Sequence, residues 1–119
     1  MPKFLCIDDE EVILKILNIF LQSDYDVTVC NNSLEGLDLA LTGDYDVIIT
    51  DIRMPGKTGT EIIAALEEAQ VDTKVIIMTS HPLNLEENQS ELVASQVQKP
   101  VNKQRIQDAV KTALAAMEV

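Results

Sequence analysis

The chain has 119 residues, a size that suits one domain, residues 1–119. Apolar residues make up 46%, enough for a packed core, while aromatics make up 3% and Trp is absent, so that core must be aliphatic. A net charge of −11 sets the surface against nucleic acid and anionic lipid, and no apolar run approaches the roughly 18 residues of a membrane span.

Lys3 to Ile7 reads as a first strand buried on both faces, and it runs into Asp8-Asp9-Glu10-Glu11. Val12, Ile13, Ile16, Leu17 and Phe20 follow at helical spacing, which predicts an amphipathic helix over about 10–22 with Asp9 or Glu10 as its cap. Asp26 to Cys30 is a second, shorter strand. Asn31-Asn32-Ser33 is turn and cap chemistry, followed by a helix over 33–42 that Gly43-Asp44 closes despite Gly36 inside it. Asp46 to Thr50 is an apolar central strand that ends abruptly at Asp51. Ile52-Arg53-Met54-Pro55-Gly56-Lys57-Thr58-Gly59 is a loop, and Ile62, Ile63 and Leu66 mark a helix over 59–69.

Lys74 to Met78 is a fourth strand and ends in Thr79-Ser80-His81-Pro82. The stretch 83–94 is polar, with apolar residues only at Leu83, Leu85, Leu92, Val93 and Ala94, and is assigned a short or mobile helix. Ser95 to Gln98 is a fifth strand leading to Lys99-Pro100. Ile106, Ala109, Val110, Ala113, Leu114 and Met117 give a last helix over 103–117. Five strands alternating with five helices predict a parallel sheet covered on both faces. Cys6 and Cys30 lie in apolar stretches and read as reduced, buried thiols; they form no zinc spacing. The amino terminus lacks a signal-peptide pattern, so a cytoplasmic location is the default expectation.

Four strand ends carry polar groups: Asp8-Asp9, Asp51, Thr79 and Lys99. In a parallel sheet all of them fall on one edge, where open α/β proteins place their chemistry. Clustered carboxylates repel, and a hard divalent cation such as Mg²⁺ relieves that cost through oxygen ligands. An Asp carboxylate is a nucleophile toward phosphorus, and Lys and hydroxyl donors stabilise a transferring phosphoryl group. The pattern therefore assigns Asp51 as nucleophile, Asp8 and Asp9 as metal holders, and Thr79 and Lys99 as phosphate contacts.

Asp8-Asp9-Glu10, the Asp51-x-x-Met54-Pro55-Gly56-x-x-Gly59 loop, Thr79-Ser80 and Lys99-Pro100 stand in the order found in the receiver domains of two-component response regulators. The chain resembles that family over essentially its whole length. The resemblance implies a flavodoxin-like doubly wound (βα)5 fold with a parallel sheet in the order 2-1-3-4-5. It implies a signalling switch, not a metabolic enzyme, that takes a phosphoryl group on Asp51 from a sensor histidine kinase or histidine phosphotransfer protein and catalyses its own transfer and dephosphorylation. Asp9, Asp51 and the Arg53 carbonyl would contact Mg²⁺ directly, and Asp8 mostly through water. The bond before Pro100 would be cis. Thr79 would move toward the phosphoryl group, and Arg53 and His81 would tune dephosphorylation. The change would be read on the face of the fourth helix, fifth strand and fifth helix by an effector protein or a carboxyl-terminal output domain; homodimerisation through that face stays open.

Two positions depart from the family. Gln96 stands three places before Lys99, where an aromatic is usual, and Leu92-Val93-Ala94 replaces the usual Gly-Ala. These departures leave two alternatives in view: switching through the segment 83–94, and a receiver-like module that interacts without phosphorylation. A third alternative, an aspartyl phosphatase, expects Asp-x-Asp after the first strand; here Asp8 is followed by Asp9 and Glu10.

Overall fold

A computed structural model describes residues 1–80 and 90–117. The elements run β1 (Lys3–Ile7), α1 (Glu11–Leu21), β2 (Asp26–Cys30), α2 (Ser33–Leu41), β3 (Val47–Asp51), α3 (Gly59–Glu68), β4 (Lys74–Thr79), β5 (Val93–Gln98) and α4 (Lys103–Met117). All strands are parallel, in the order β2-β1-β3-β4-β5. This is the flavodoxin-like doubly wound arrangement expected, with four helices among the described residues. The helix expected fourth in chain order falls on 83–94, of which 83–89 lie outside the described residues, as does His81.

The remainder of that stretch corrects the expectation. Residues 90–92 form a turn, with the Leu92 N–H donating to Ser90 Oγ at 3.2 Å, and Val93 and Ala94 already belong to β5. Leu92 and Val93 pack against the core, so their apolar character serves the sheet and not a helix. β5 joins β4 with a register irregularity between Val75 and Ile76, which accommodates the early start. Smaller differences lie at other ends. β3 begins at Val47, with the Asp46 carboxylate accepting the Lys3 N–H at 2.8 Å just before it, while Asp51 and Thr79 are the last residues of their strands.

Strand pleating divides the core in two. Phe4, Cys6, Val47, Ile49, Ile76 and Met78 face α1 and α4, where Leu14, Leu17, Ile106 and Val110 meet them. Leu5, Ile7, Ile48, Val75 and Ile77 face the layer of α2 and α3, with Ala40, Ile62, Ile63 and Leu66. The central strands are thus buried on both faces, which is why they read as continuous apolar runs. Gly36 inside α2 has a packing reason: a Cβ there would lie 2.8 Å from the Ile7 side chain. Both cysteines are free and buried, and burial pushes the Cys6 thiol up to about 12. Among the described residues no helix is long and apolar enough to cross a membrane.

One buried hydroxyl ties the helix layer to the loop after β3. Ser33, the first residue of α2, donates to the Pro55 carbonyl at 2.6 Å and accepts the Lys57 N–H at 2.8 Å. Ser33→Ala leaves both loop groups without that partner. It is expected to lower stability by about 1–3 kcal/mol, measured by chemical denaturation.

Candidate functional site

The site lies at the carboxyl edge of the sheet. Asp8 follows β1, Asp51 ends β3, Thr79 ends β4 and Lys99 follows β5. Parallel pairing sets these ends side by side: Asp51 is in register with Met78, and Thr79 with Gln98. Backbone bonds extend the ladder beyond the strands, from Asp8 N–H to the Cys30 carbonyl at 3.2 Å, from Ile52 N–H to the Met78 carbonyl at 3.1 Å, and from Lys99 N–H to the Thr79 carbonyl at 2.8 Å. The Lys99–Pro100 peptide is cis, as the resemblance implies.

Lys99 is the electrostatic centre. Its Nζ donates to Asp51 Oδ2 at 2.9 Å and to Glu10 Oε1 at 3.2 Å, and lies 3.1 Å from Asp8 Oδ2. The stem is largely covered, with 10% of the side chain exposed, so the lysine reaches back to the acids along the sheet edge. Burial pulls its pKa down, but the hydrogen bond to Asp51 and the charges of Asp8 and Asp51 outweigh burial and hold it above the ordinary lysine range.

Asp8 is fully buried. Its Oδ1 accepts the Glu10 N–H at 2.9 Å, whereas Oδ2 has the lysine charge nearby and no hydrogen-bond partner. Burial raises the Asp8 pKa to about 6; the Glu10 N–H and the Lys99 ammonium counter part of that rise, and the Asp51 charge adds to it. Asp9 is exposed. One oxygen from each of Asp8, Asp9 and Asp51 lies within 4.8 Å of the others. The donor set is all oxygen, and one member carries a buried oxygen without a hydrogen bond, so these residues fit a hard divalent cation.

Asp51 is 7% exposed, and its Oδ1 accepts the Arg53 N–H at 3.4 Å. Thr79 is 3% exposed. Asp9, Glu10, Asp51, Ile52, Arg53, Thr79 and Ser80 line a cavity of about 260 Å³ beside the acids. Thus all the sequence-assigned residues meet here: Asp8, Asp9, Asp51 and Lys99 in one charged cluster, Thr79 and Arg53 on the cavity wall. Gly59 closes the loop onto the acid. A Cβ there would lie 2.7 Å from the Asp51 carbonyl oxygen, a clash with backbone that cannot swing away.

Three features escaped the sequence reading. Glu10 is the N-cap residue of α1 but makes no side-chain cap bond, because its carboxylate goes to Lys99. Its partner lies 89 residues away, so no local pattern announces it. The Ser33 bonds to the loop are equally non-local. Thr58 and Glu61 form a reciprocal capping box on α3, and here the signal was readable as Thr58-x-x-Glu61.

The model of the response regulator receiver domain matches residues 4–111. Sporulation initiation phosphotransferase F of Bacillus subtilis is 32% identical over 112 residues, 92% of this chain and 90% of that protein. Transcriptional regulatory protein CusR of Escherichia coli is 34% identical over 79 residues, 66% of this chain. The chain spans about a third of the length of CusR and of the Bacillus subtilis regulator YkoG (35% and 34%). A response regulator receiver domain protein from Clostridium thermocellum superposes with a TM-score of 0.86 at 29% identity, over 99% of this chain and 98% of its own. The response regulator TrrA of Thermotoga maritima, solved with Mg²⁺-BeF, gives 0.83 at 30% identity, over 95% and 99%.

The raised Asp8 pKa carries a pH signature. The folded state takes up this proton as pH falls through about 6, before the unfolded chain does near 3.8. Ionised Asp8 therefore costs stability above 6, and the cost fades as pH falls toward 4. In metal-free protein at pH 7, Asp8→Asn is expected to gain about 1–2 kcal/mol. Denaturation across this pH range should show the gain shrinking as pH falls.

Proposed function

Because the chain belongs to the response regulator receiver domain family, we propose that it is a phosphorylation-dependent switch with Asp51 as the phosphoryl acceptor. Receiver domains are signalling proteins, not metabolic enzymes. The observation that carries the assignment is the convergence on Asp51: a lysine nitrogen at 2.9 Å, and oxygens of two further acids within 4.8 Å of its own.

Asp8, Asp9, Asp51 and the Arg53 carbonyl are the residues that would hold Mg²⁺, which supplies charge neutralisation for the acids and for phosphoryl oxygens. The rest of the chemistry belongs to the chain. An Asp51 carboxylate oxygen forms the new bond to phosphorus as the bond from phosphorus to the donor nitrogen of a partner's phosphohistidine breaks, and that nitrogen leaves with the electron pair. Lys99 follows the negative charge from the carboxylate to the transferred group. The Thr79 hydroxyl is a donor to the same oxygens, and its shift carries the signal away from the edge. Hydrolysis ends the signal: a water oxygen bonds to phosphorus as the bond from phosphorus to the Asp51 oxygen breaks, which releases inorganic phosphate and the free carboxylate, and Arg53 and His81, which lies outside the described residues, tune this step.

The donor is a histidine kinase or histidine phosphotransfer protein, and the receiver of the signal is an effector protein or an output domain. Similarity to a sporulation phosphotransferase along nearly its full length supports a phosphorelay role; similarity to regulators three times longer supports an attached output. The readout departs from an aromatic rotamer. Gln96 sits half-buried on β5 in register with Ile77, at a groove shared with Arg105, Asp108 and Thr112 of α4.

Incubation with Mg²⁺ and a small-molecule phosphodonor is expected to add one phosphoryl group to the wild-type intact mass. Asp51→Asn should show no gain. Equal labelling of both proteins, or of neither while both are folded, would contradict the assignment.

A further inference from the structure

Lys99 shares its ammonium between two buried acids and an exposed one. Of its three carboxylate neighbours, Asp8 is fully buried and Asp51 nearly so, whereas the Glu10 side chain is 61% exposed. Burial makes an unpaired oxygen costly, and exposure makes one cheap. Glu10 Oε1 nonetheless accepts a hydrogen bond from Nζ at 3.2 Å, beside the ion pair of Nζ with buried Asp8 Oδ2 at 3.1 Å. Glu10 also forgoes the helix cap its position offers. Its backbone explains the reach: the Glu10 N–H is fixed on Asp8 Oδ1, which sets the residue at the mouth of the cavity beside Asp51.

An ammonium has three N–H donors. A phosphoryl group on Asp51 needs at least one of them and brings negative charge close to the Glu10 carboxylate, which already shares the same nitrogen. Asp8 is held by backbone within the core and cannot leave. Glu10 can, because water takes its place. We propose that Glu10 is a displaceable latch on Lys99: it occupies the lysine in the resting state and opposes the phosphoryl group, so it sets how strongly the phosphorylated form is favoured. This rests on the reading of Asp51 as phosphoryl acceptor. Glu10 acts through Lys99 and is a positioning residue.

Beryllofluoride binding at saturating Mg²⁺, followed by amide NMR, is the test, on wild type, Glu10→Gln and Glu10→Asp. Glu10→Gln is expected to bind about 1.5- to 5-fold tighter, the range of an exposed ion pair. Glu10→Asp keeps the charge but is one methylene too short, and it too should bind tighter than wild type. In metal-free Glu10→Gln, the Lys99 ammonium protons should exchange with water faster than in wild type, a change that a general effect on folding does not produce. Glu10→Gln binding no tighter than wild type overturns the latch while the acceptor assignment stands. Tightening in Glu10→Gln but not in Glu10→Asp also overturns it, since charge and not contact would then be responsible. A folded wild type that binds no beryllofluoride overturns the acceptor assignment and the latch with it.

Discussion

One ammonium group among four acids is the constraint on which the rest of this molecule turns. Asp8, Asp9, Glu10 and Asp51 crowd one end of the sheet, and Lys99 is within 3.2 Å of three of them. Such a cluster does not exist for stability. The buried Asp8 oxygen without a hydrogen bond and the raised Asp8 pKa are its costs. Like charges this close are tolerated because the Lys99 ammonium balances part of them.

The fold makes the crowding possible. The central strands β1, β3 and β4 are buried, and the register of each strand with its neighbour fixes where its last residue ends. Asp51 ends β3 and Asp8 directly follows β1, and these two strands are paired, so the backbones of the two acids cannot drift apart to relieve repulsion. Gly59 packed on the Asp51 carbonyl and Ser33 bonded to the loop at Pro55 and Lys57 hold the far side. The two apolar layers thus supply the energy that keeps an unfavourable edge assembled.

Much of this was legible in the sequence. Apolar runs that stop at Asp8, Asp51, Thr79 and Lys99 announce both the parallel sheet and the edge where these residues meet, because strand burial and strand ends are local properties. What escaped is non-local. Nothing near Glu10 reveals that it bonds Lys99, and nothing near Ser33 reveals that it clamps a loop 22 residues on. The reading of 92–94 as helix failed for a related reason: three apolar residues after a polar stretch carry no period, and only pairing with Val75 makes them strand and turn.

Lys99→Met tests the central claim most directly, by denaturation at pH 7 with and without Mg²⁺. If one lysine balances the acids, removing its charge while keeping its stem should cost the metal-free protein about 2–4 kcal/mol, and Mg²⁺ should restore most of it. A variant as stable as wild type without metal, or one that Mg²⁺ stabilises no more than wild type, would contradict the account.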